Sequence, residues 1–197
     1  MDFYQAMKSR RSRYAITNKS TLTEEQLEEL LANAITYTPS AFHSQSSRVV
    51  LLLGERHQKL WSIVLETLRR LVPPEKFAPT EEKIASFAAG YGSILYLEDM
   101  DTVEALQKKV PSYAENFPIW SMQSAGMLQY AIWTALSQEG LGASLQHYNP
   151  LIDEAVHNEF QLPGSWKLLA QMPFGVPTSE PKSLEYKPIS DRLRIHK

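Results

Sequence analysis

Three arginines and a serine stand together at Arg10-Arg11-Ser12-Arg13, and that grouping can hold a phosphate. A guanidinium meets phosphate oxygens as a planar fork of charge-assisted hydrogen bonds, and a hydroxyl adds another donor. A second polar group follows at Thr38-Pro39-Ser40-Ala41-Phe42-His43-Ser44-Gln45, a turn-prone stretch just ahead of the apolar run Val49 to Leu53. A His close to a Gln offers donors and acceptors to a polar heterocycle. His147, beside Gln146, repeats that pairing. Together the first two segments point to a small phosphorylated cofactor held by the first quarter of the chain. A plainer reading stands beside it. Arginines near a helix C-terminus also complement the helix dipole, and a loop His or Gln can simply satisfy nearby backbone.

These residues need elements to position them. Asp2 can cap a helix running to Ser9. Thr21 and Glu24 form a capping-box pattern, and Leu27, Leu30, Leu31 and Ala34 follow at helical spacing, so the pattern predicts a helix over 23–36. Residues 37–47 read as a loop and Arg48 to Leu53 as a buried strand ended by Gly54. A helix over 56–71 stops at Pro73-Pro74. A short helix at 80–89 and a strand from Ser93 to Leu97 come next. Glu98-Asp99-Met100-Asp101 has the look of a metal site, yet reads better as an acidic helix start, with Asp101 capping a segment to Lys109. The longest predicted helix, 119–139, carries small and aromatic residues on more than one face. It therefore belongs in a core, at a subunit interface, or both. Gly140 ends it. A short strand at 143–147, a helix at 151–160 and a strand from Trp166 to Met172 complete the body. The proline-bearing tail, 175–197, must pack on its own body or across a partner.

A chain of 197 residues suits one domain, 1–197. The hydrophobic share of 43% and charged share of 21% are those of a soluble globular protein. A net charge of -2 argues against a dedicated nucleic-acid binder. With no cysteine there is no thiolate nucleophile, disulfide or zinc-thiolate site. No stretch is apolar for long enough to span a bilayer, and the first residues lack a signal-peptide pattern. The expected location is the cytoplasm.

Gly90-Tyr91-Gly92 and Gly140-Leu141-Gly142 begin like dinucleotide fingerprints, but Leu95 and Leu145 occupy the third glycine position. A Rossmann site is not expected, nor is a P-loop. No two histidines have metal-ligand spacing. His57 and His157 fall among polar neighbours in predicted helices and read as exposed, which leaves His43 and His147 as the site candidates.

Arg10-Arg11-Ser12, the Pro39 to Gln45 loop, the run Gly140 to Asn149 (with Leu145-Gln146-His147-Tyr148-Asn149) and a basic C-terminal end occur in order along nearly the whole chain. In these the chain resembles the nitroreductase family of FMN-dependent oxidoreductases, and within it the short nitroreductase-like branch of fungi and bacteria. The resemblance implies an α+β fold, a mixed and mostly antiparallel sheet flanked by helices. It implies a homodimer with FMN at the interface, the long helix in its core, and the C-terminal tail crossing to the partner. Arg10, Arg11 and Ser12 would hold the phosphate and ribityl chain, with Arg192 and Arg194 helping to neutralise the phosphate. Pro39, Ser40, Ala41, His43 and Gln45 would approach the flavin from the other subunit. Leu145, Gln146 and His147 would run beside the flavin ring. The implied activity passes two electrons from NAD(P)H to nitroaromatic or quinone-type acceptors in a ping-pong cycle, with no metal, nucleic acid or membrane involved.

The chain departs from the broad family in three places. Tyr14 stands where larger members often carry a Lys or Arg near the flavin. His43 replaces a common Asn. Ser46-Ser47 replaces a usual Pro-Trp. Two other readings stand beside this one: a non-catalytic flavin-binding or regulatory protein that uses the same residues, with Tyr14 hindering flavin reduction, and a helical interaction module built on Trp120, Trp133 and Tyr130.

Overall fold

Side chains that satisfy orphan backbone N–H groups set the first two helices. The computed structural model describes residues 2–197. In it, Asp2 accepts from the Gln5 N–H and starts α1 (Phe3–Ser9). Helix α2 (Glu24–Tyr37) is opened by Thr23, which forms a capping box with Gln26. The box predicted at Thr21 and Glu24 is thus displaced by two residues, because the Thr21 hydroxyl donates to the Glu139 carbonyl at 2.6 Å. The chain continues through β1 (Ser47–Leu53), α3 (Gly54–Arg69), α4 (Ala78–Ala88), β2 (Gly92–Asp99), α5 (Met100–Lys109) and α6 (Phe117–Gln138). It ends with β3 (Gly142–Ala143), α7 (Asp153–Phe160) and β4 (Trp166–Gly175). Asp99, not Asp101, caps α5: its carboxylate accepts from the Asp101 N–H. The cap at the end of α6 is as expected. Gly140 takes φ +79, and the Leu141 and Gly140 amides bond back to Leu136 and Ser137, a pattern that suits glycine.

The strands form one antiparallel sheet in the order β1-β2-β4-β3. Strand β2 lies inside it and is buried on both faces, which explains its unbroken apolar run. Ile94 and Tyr96 face α2 and α6, against Leu27, Leu31, Leu128, Ile132 and Leu136. Leu95 and Leu97 face the opposite layer, against Leu60, Trp61, Val64, Ile84, Phe87 and Val156 of α3, α4 and α7. In β4 the parity changes once. Tyr96 pairs with Ala170 and Leu97 with Leu168, so Leu169 is an extra residue. That bulge lets Leu168 serve one core while Ala170, Met172 and Phe174 serve the other. The architecture is thus the expected α+β fold. Strand β1 sits at the sheet edge and is mostly half-buried rather than buried. The strand expected at 143–147 shrinks to Gly142–Ala143, and Gln146 pairs separately with Gln171. Among the described residues no helix is long and apolar enough to cross a membrane.

His57 and His157 are not exposed. His57 is 1% exposed, with Nδ1 2.9 Å from the Ser93 hydroxyl and Nε2 3.1 Å from the Ala88 carbonyl. A carbonyl only accepts, so Nε2 carries the proton and Nδ1 accepts from Ser93. The half-buried His157 has Nδ1 2.8 Å from the Asp153 carbonyl and Nε2 2.6 Å from the Trp166 carbonyl. Burial lowers the pKa of His57 from 6.5, with the Ala88 bond opposing it. The unfolded chain therefore binds more protons below pH 6.5. The neutral His57 contribution is complete above that value and declines as pH falls through the folded value. The stability advantage over His57→Gln is expected to be larger near pH 7.5 than near pH 5.5, as thermal melts at the two pH values will read.

Candidate functional site

Residues 10–13 run in extended form beside β3. Ser12 bridges Ala143 in parallel, and the Arg13 N–H donates to the Ala143 carbonyl at 2.9 Å. The approach is close: a Cβ on Gly142 would stand 2.8 Å from the Arg13 Cβ, so glycine is required there. This alignment carries Leu145, Gln146 and His147 past the arginine segment. Gln146 is buried and locked to Gln171 by two backbone bonds of 2.7 and 2.9 Å, and its side chain donates to Ser144. Leu145 is half-buried and His147 exposed.

The arginines differ in what holds them. The Arg10 guanidinium lies 4.4 Å over the Trp133 ring and 5.9 Å from that of Tyr130. Its Nε is buried with no hydrogen-bond partner, as is Trp133 Nε1. Arg11 donates to the Lys182 carbonyl, and Arg13 to the Ser179 carbonyl at 2.6 Å and weakly to Glu180. Residues 179–182 of the tail therefore lie along the arginine row. Among the described residues neither Arg10 nor Arg11 pairs with a carboxylate. Positive charge beside a free hydroxyl, with an orphaned Nε, suits a phosphorylated ligand. Arg192 and Arg194 lie further along the tail and are exposed. Tyr14 is exposed and leans on Phe87, ring centroids 6.3 Å apart.

The second cluster is the loop at 39–45. Phe42, His43 and Gln45 all have positive φ, near 55, 53 and 51°, without being glycine. Three such residues in four are costly, roughly 1–3 kcal/mol each. The loop is held by several bonds: Gln45 N–H to the Ser40 hydroxyl at 2.9 Å, His43 N–H to the Ser40 carbonyl, and Arg48 to the Gln45 carbonyl at 2.6 Å. The Gln45 amide and His43 Nε2 are 2.8 Å apart. Pro39, Ser40, His43, Gln45 and Arg48 line a concavity of about 520 Å³, with Ser124 and Leu128 of α6 behind it.

Behind the loop lies a buried acid. Glu98 is 0% exposed, accepts from the Ser47 hydroxyl at 3.1 Å, and leaves Oε1 without a partner. Ser46, also buried, links to Ser44 in the loop at 3.2 Å. Burial raises the Glu98 pKa from 4.5 against the opposing pull of Ser46, Ser47 and Arg48. The folded state then holds the proton more tightly than the unfolded chain, so stability from this group is full below 4.5 and is lost as pH rises through the folded value. Glu98→Gln is expected to gain stability relative to the parent as pH rises from about 5 to 8, measurable by urea denaturation. No cluster of three or more potential metal-ligating groups occurs among the described residues.

The two clusters do not meet within one chain. Ser124 and Leu128 back the loop, while Tyr130 and Trp133 carry Arg10. At about 100° per residue these pairs point to roughly opposite sides of α6. Sequence reasoning found both segments but missed Trp133 and Tyr130 beneath Arg10 and the strain at Phe42, since no local pattern signals either.

The sequence model of the Nitroreductase family matches residues 7–176. The nitroreductase FRM2 of Saccharomyces cerevisiae is 35% identical over 145 residues, covering 74% of this chain and 71% of its own. HBN1 of the same yeast is 31% identical over 186 residues, 93% and 92% of the two chains. The solved structure of the nitroreductase CinD from Lactococcus lactis, in complex with chloramphenicol, superposes with a TM-score of 0.91 at 39% identity, covering 100% of both chains.

Proposed function

The chain belongs to the nitroreductase family of oxidoreductases, and from that premise we propose that it is an FMN-dependent enzyme passing two electrons from NAD(P)H to nitroaromatic or quinone-type acceptors. The observation that carries this reading is the Arg10-Arg11-Ser12 row, in which, among the described residues, neither arginine pairs with a carboxylate and the Arg10 Nε is buried without a hydrogen-bond partner. Arg10 and Arg11 would hold the phosphate by charge-assisted bonds, and Ser12 would add a hydroxyl. Leu145, Gln146 and His147, fixed through Gln171, would flank the ring. Bound FMN would supply the two-electron carrier of a ping-pong cycle. The protein's part is to bind, orient and limit access of water.

The active form is a homodimer, in which Pro39, Ser40, Ala41, His43 and Gln45 of one subunit would complete the site of the other. Two features support this. The loop and the arginine row lie on opposite sides of α6 in one chain. The outer flank of α6 exposes Ile119, Met122, Met127 and Tyr130, and the tail exposes Leu184, Tyr186, Ile189 and Leu193, an apolar surface that a second copy would cover. The tail of one subunit would then cross the other and carry Arg192 and Arg194 towards its phosphate. The chain acts as one domain over 1–197, in the cytoplasm, where a cysteine-free protein is at home.

The test is the visible spectrum of the purified protein, followed by anaerobic addition of NADH or NADPH, with its mass from sedimentation. Flavin bands that bleach, in a particle of twice the chain mass, agree with the proposal. A colourless protein that takes up no FMN sinks it. Bands that persist with both nucleotides favour a non-catalytic flavin protein, with Tyr14 in place of a cation near the ring.

A further inference from the structure

The strained loop is fastened at its far end by two neighbours of one buried acid. The Ser46 hydroxyl, itself buried, lies 3.2 Å from that of Ser44, and Arg48 donates to the Gln45 carbonyl at 2.6 Å. The acid is Glu98, near the end of β2, fully buried. Its Oε2 accepts from the Ser47 hydroxyl at 3.1 Å, and Oε1 is buried with no hydrogen-bond partner among the described residues. Arg48 is shared, since it also meets the Asp99 carboxylate at 2.8 Å. Ser46 and Ser47 stand where a Pro-Trp pair is usual in the broad family, and neither of those residues has a hydroxyl to offer. The hydroxyls around Glu98 therefore come from a departure of this chain. Phe42, His43 and Gln45 stay left-handed, and such a run persists only where the surroundings over-determine it.

We propose that Glu98 is a positioning residue that latches the 39–45 loop: as the neutral acid it leaves the Ser46 hydroxyl and Arg48 to the loop, and as the carboxylate it draws them away. The chemistry is a competition for donors. A serine hydroxyl has one proton to give. A carboxylate with an unpaired oxygen in a dry place is costly, and it recruits the donors within reach. Burial opposes ionisation of Glu98, as does the Asp99 charge, while the Ser46 and Ser47 hydroxyls and the Arg48 charge favour it. Two of those three, Ser46 and Arg48, are the fasteners of the loop, so ionisation and latching call on the same groups. Asp99 is held in place separately, because it accepts from the Asp101 N–H and the Thr102 hydroxyl at the start of α5. Lys167, the register partner of Glu98 on β4, is exposed. His43 belongs to the loop itself, and α6 carries no charged side chain. Release of the latch lets Phe42, His43 and Gln45 leave their left-handed form. The consequence for FMN rests on the dimeric reading above, in which this loop completes the other subunit's site, but the latch itself does not.

The test is hydrogen exchange of residues 39–46 in the flavin-free protein, read by mass spectrometry near pH 5 and pH 8 and corrected for the intrinsic rate. Protection in the parent is expected to fall about tenfold at the higher pH. Glu98→Gln, which keeps the shape of the neutral acid, should stay protected at both. Ser46→Ala should be loose at both, while its urea stability keeps the pH response of Glu98. The FMN Kd of the parent, relative to that of Glu98→Gln, should rise over the same pH range. Equal protection in the parent and Glu98→Gln at both pH values overturns the latch. So does a pH response that survives in Glu98→Gln, because it then belongs to another group such as His43. A Ser46→Ala loop as well protected as the parent near pH 5 overturns it too. If the loop responds as expected in a protein that takes up no FMN, the latch stands and the cofactor reading fails. If it responds while the two FMN affinities keep one ratio, the latch stands and the loop's place in the other site fails.

Discussion

Alanine in place of Arg10 is expected to weaken FMN binding by about 2–4 kcal/mol, which is roughly thirty-fold to several-hundred-fold in Kd. Arg10 is the arginine whose guanidinium is committed to no carboxylate or carbonyl and whose buried Nε has no partner. Removing it would leave a phosphate against Trp133 and Tyr130 with one cation fewer, and an unpaired charge in a partly buried place is what makes such deletions costly. Arg11→Ala should cost less. Arg11 is half-exposed and already donates to the Lys182 carbonyl, so part of its interaction is screened or spent within the chain. Arg10→Lys should fall between the two, because an ammonium keeps the charge but loses the planar fork and the stacking on Trp133. The stability of the flavin-free protein should change by only about 1 kcal/mol, the scale of one cation–π contact. Quenching of flavin fluorescence on titration gives each Kd. An Arg10→Ala affinity equal to that of the parent would move the phosphate elsewhere, first to Arg192 and Arg194.

The sequence made the segments of this site legible, and much of the fold, because both depend on local chemistry. Caps, prolines and helical spacing are read within a few residues, and so the helices appear close to their predicted bounds. What stayed illegible depends on partners far along the chain. Thr21-Glu24 and Thr23-Gln26 fit the same capping pattern, and only the distant Glu139 carbonyl takes Thr21 out of the contest. His57 among polar neighbours looks exposed until β2 brings Ser93 against it. The bulge at Leu169 follows from two cores competing for one strand, not from any residue in it. The left-handed run at Phe42, His43 and Gln45 has no glycine to announce it. The residue types of the arginine row point to a phosphate, but the aromatic bed under Arg10 is supplied by α6, far along the chain. The apolar character of α6 is legible in its sequence, but not that one flank meets the sheet while the other leaves Ile119, Met122, Met127 and Tyr130 exposed in the single chain.

Ser93→Ala should be among the most destabilising single changes in the chain, by about 2–5 kcal/mol out of a typical total of 5–15. The Ser93 hydroxyl is fully buried between two side chains: Trp61 Nε1 donates to it at 2.9 Å, and it donates to His57 Nδ1 at 2.9 Å. Its removal orphans both a donor and an acceptor in a place water does not reach, at about 1–3 kcal/mol each. The change should also depend on pH in a direction that distinguishes it from a plain cavity. The Ser93 hydrogen bond favours neutral His57. Burial holds the folded value below 6.5, and loss of a donor that suits only the neutral ring moves it back part of the way and narrows the gap from the unfolded chain. Less stability is then lost on acidification, so the deficit relative to the parent should be largest at neutral pH and smaller near pH 5.5. Urea unfolding at both pH values reads it. A deficit that is the same at both would mean that Ser93 acts through Trp61 alone, and a loss under about 0.5 kcal/mol would mean that the buried node contributes no more than a surface residue.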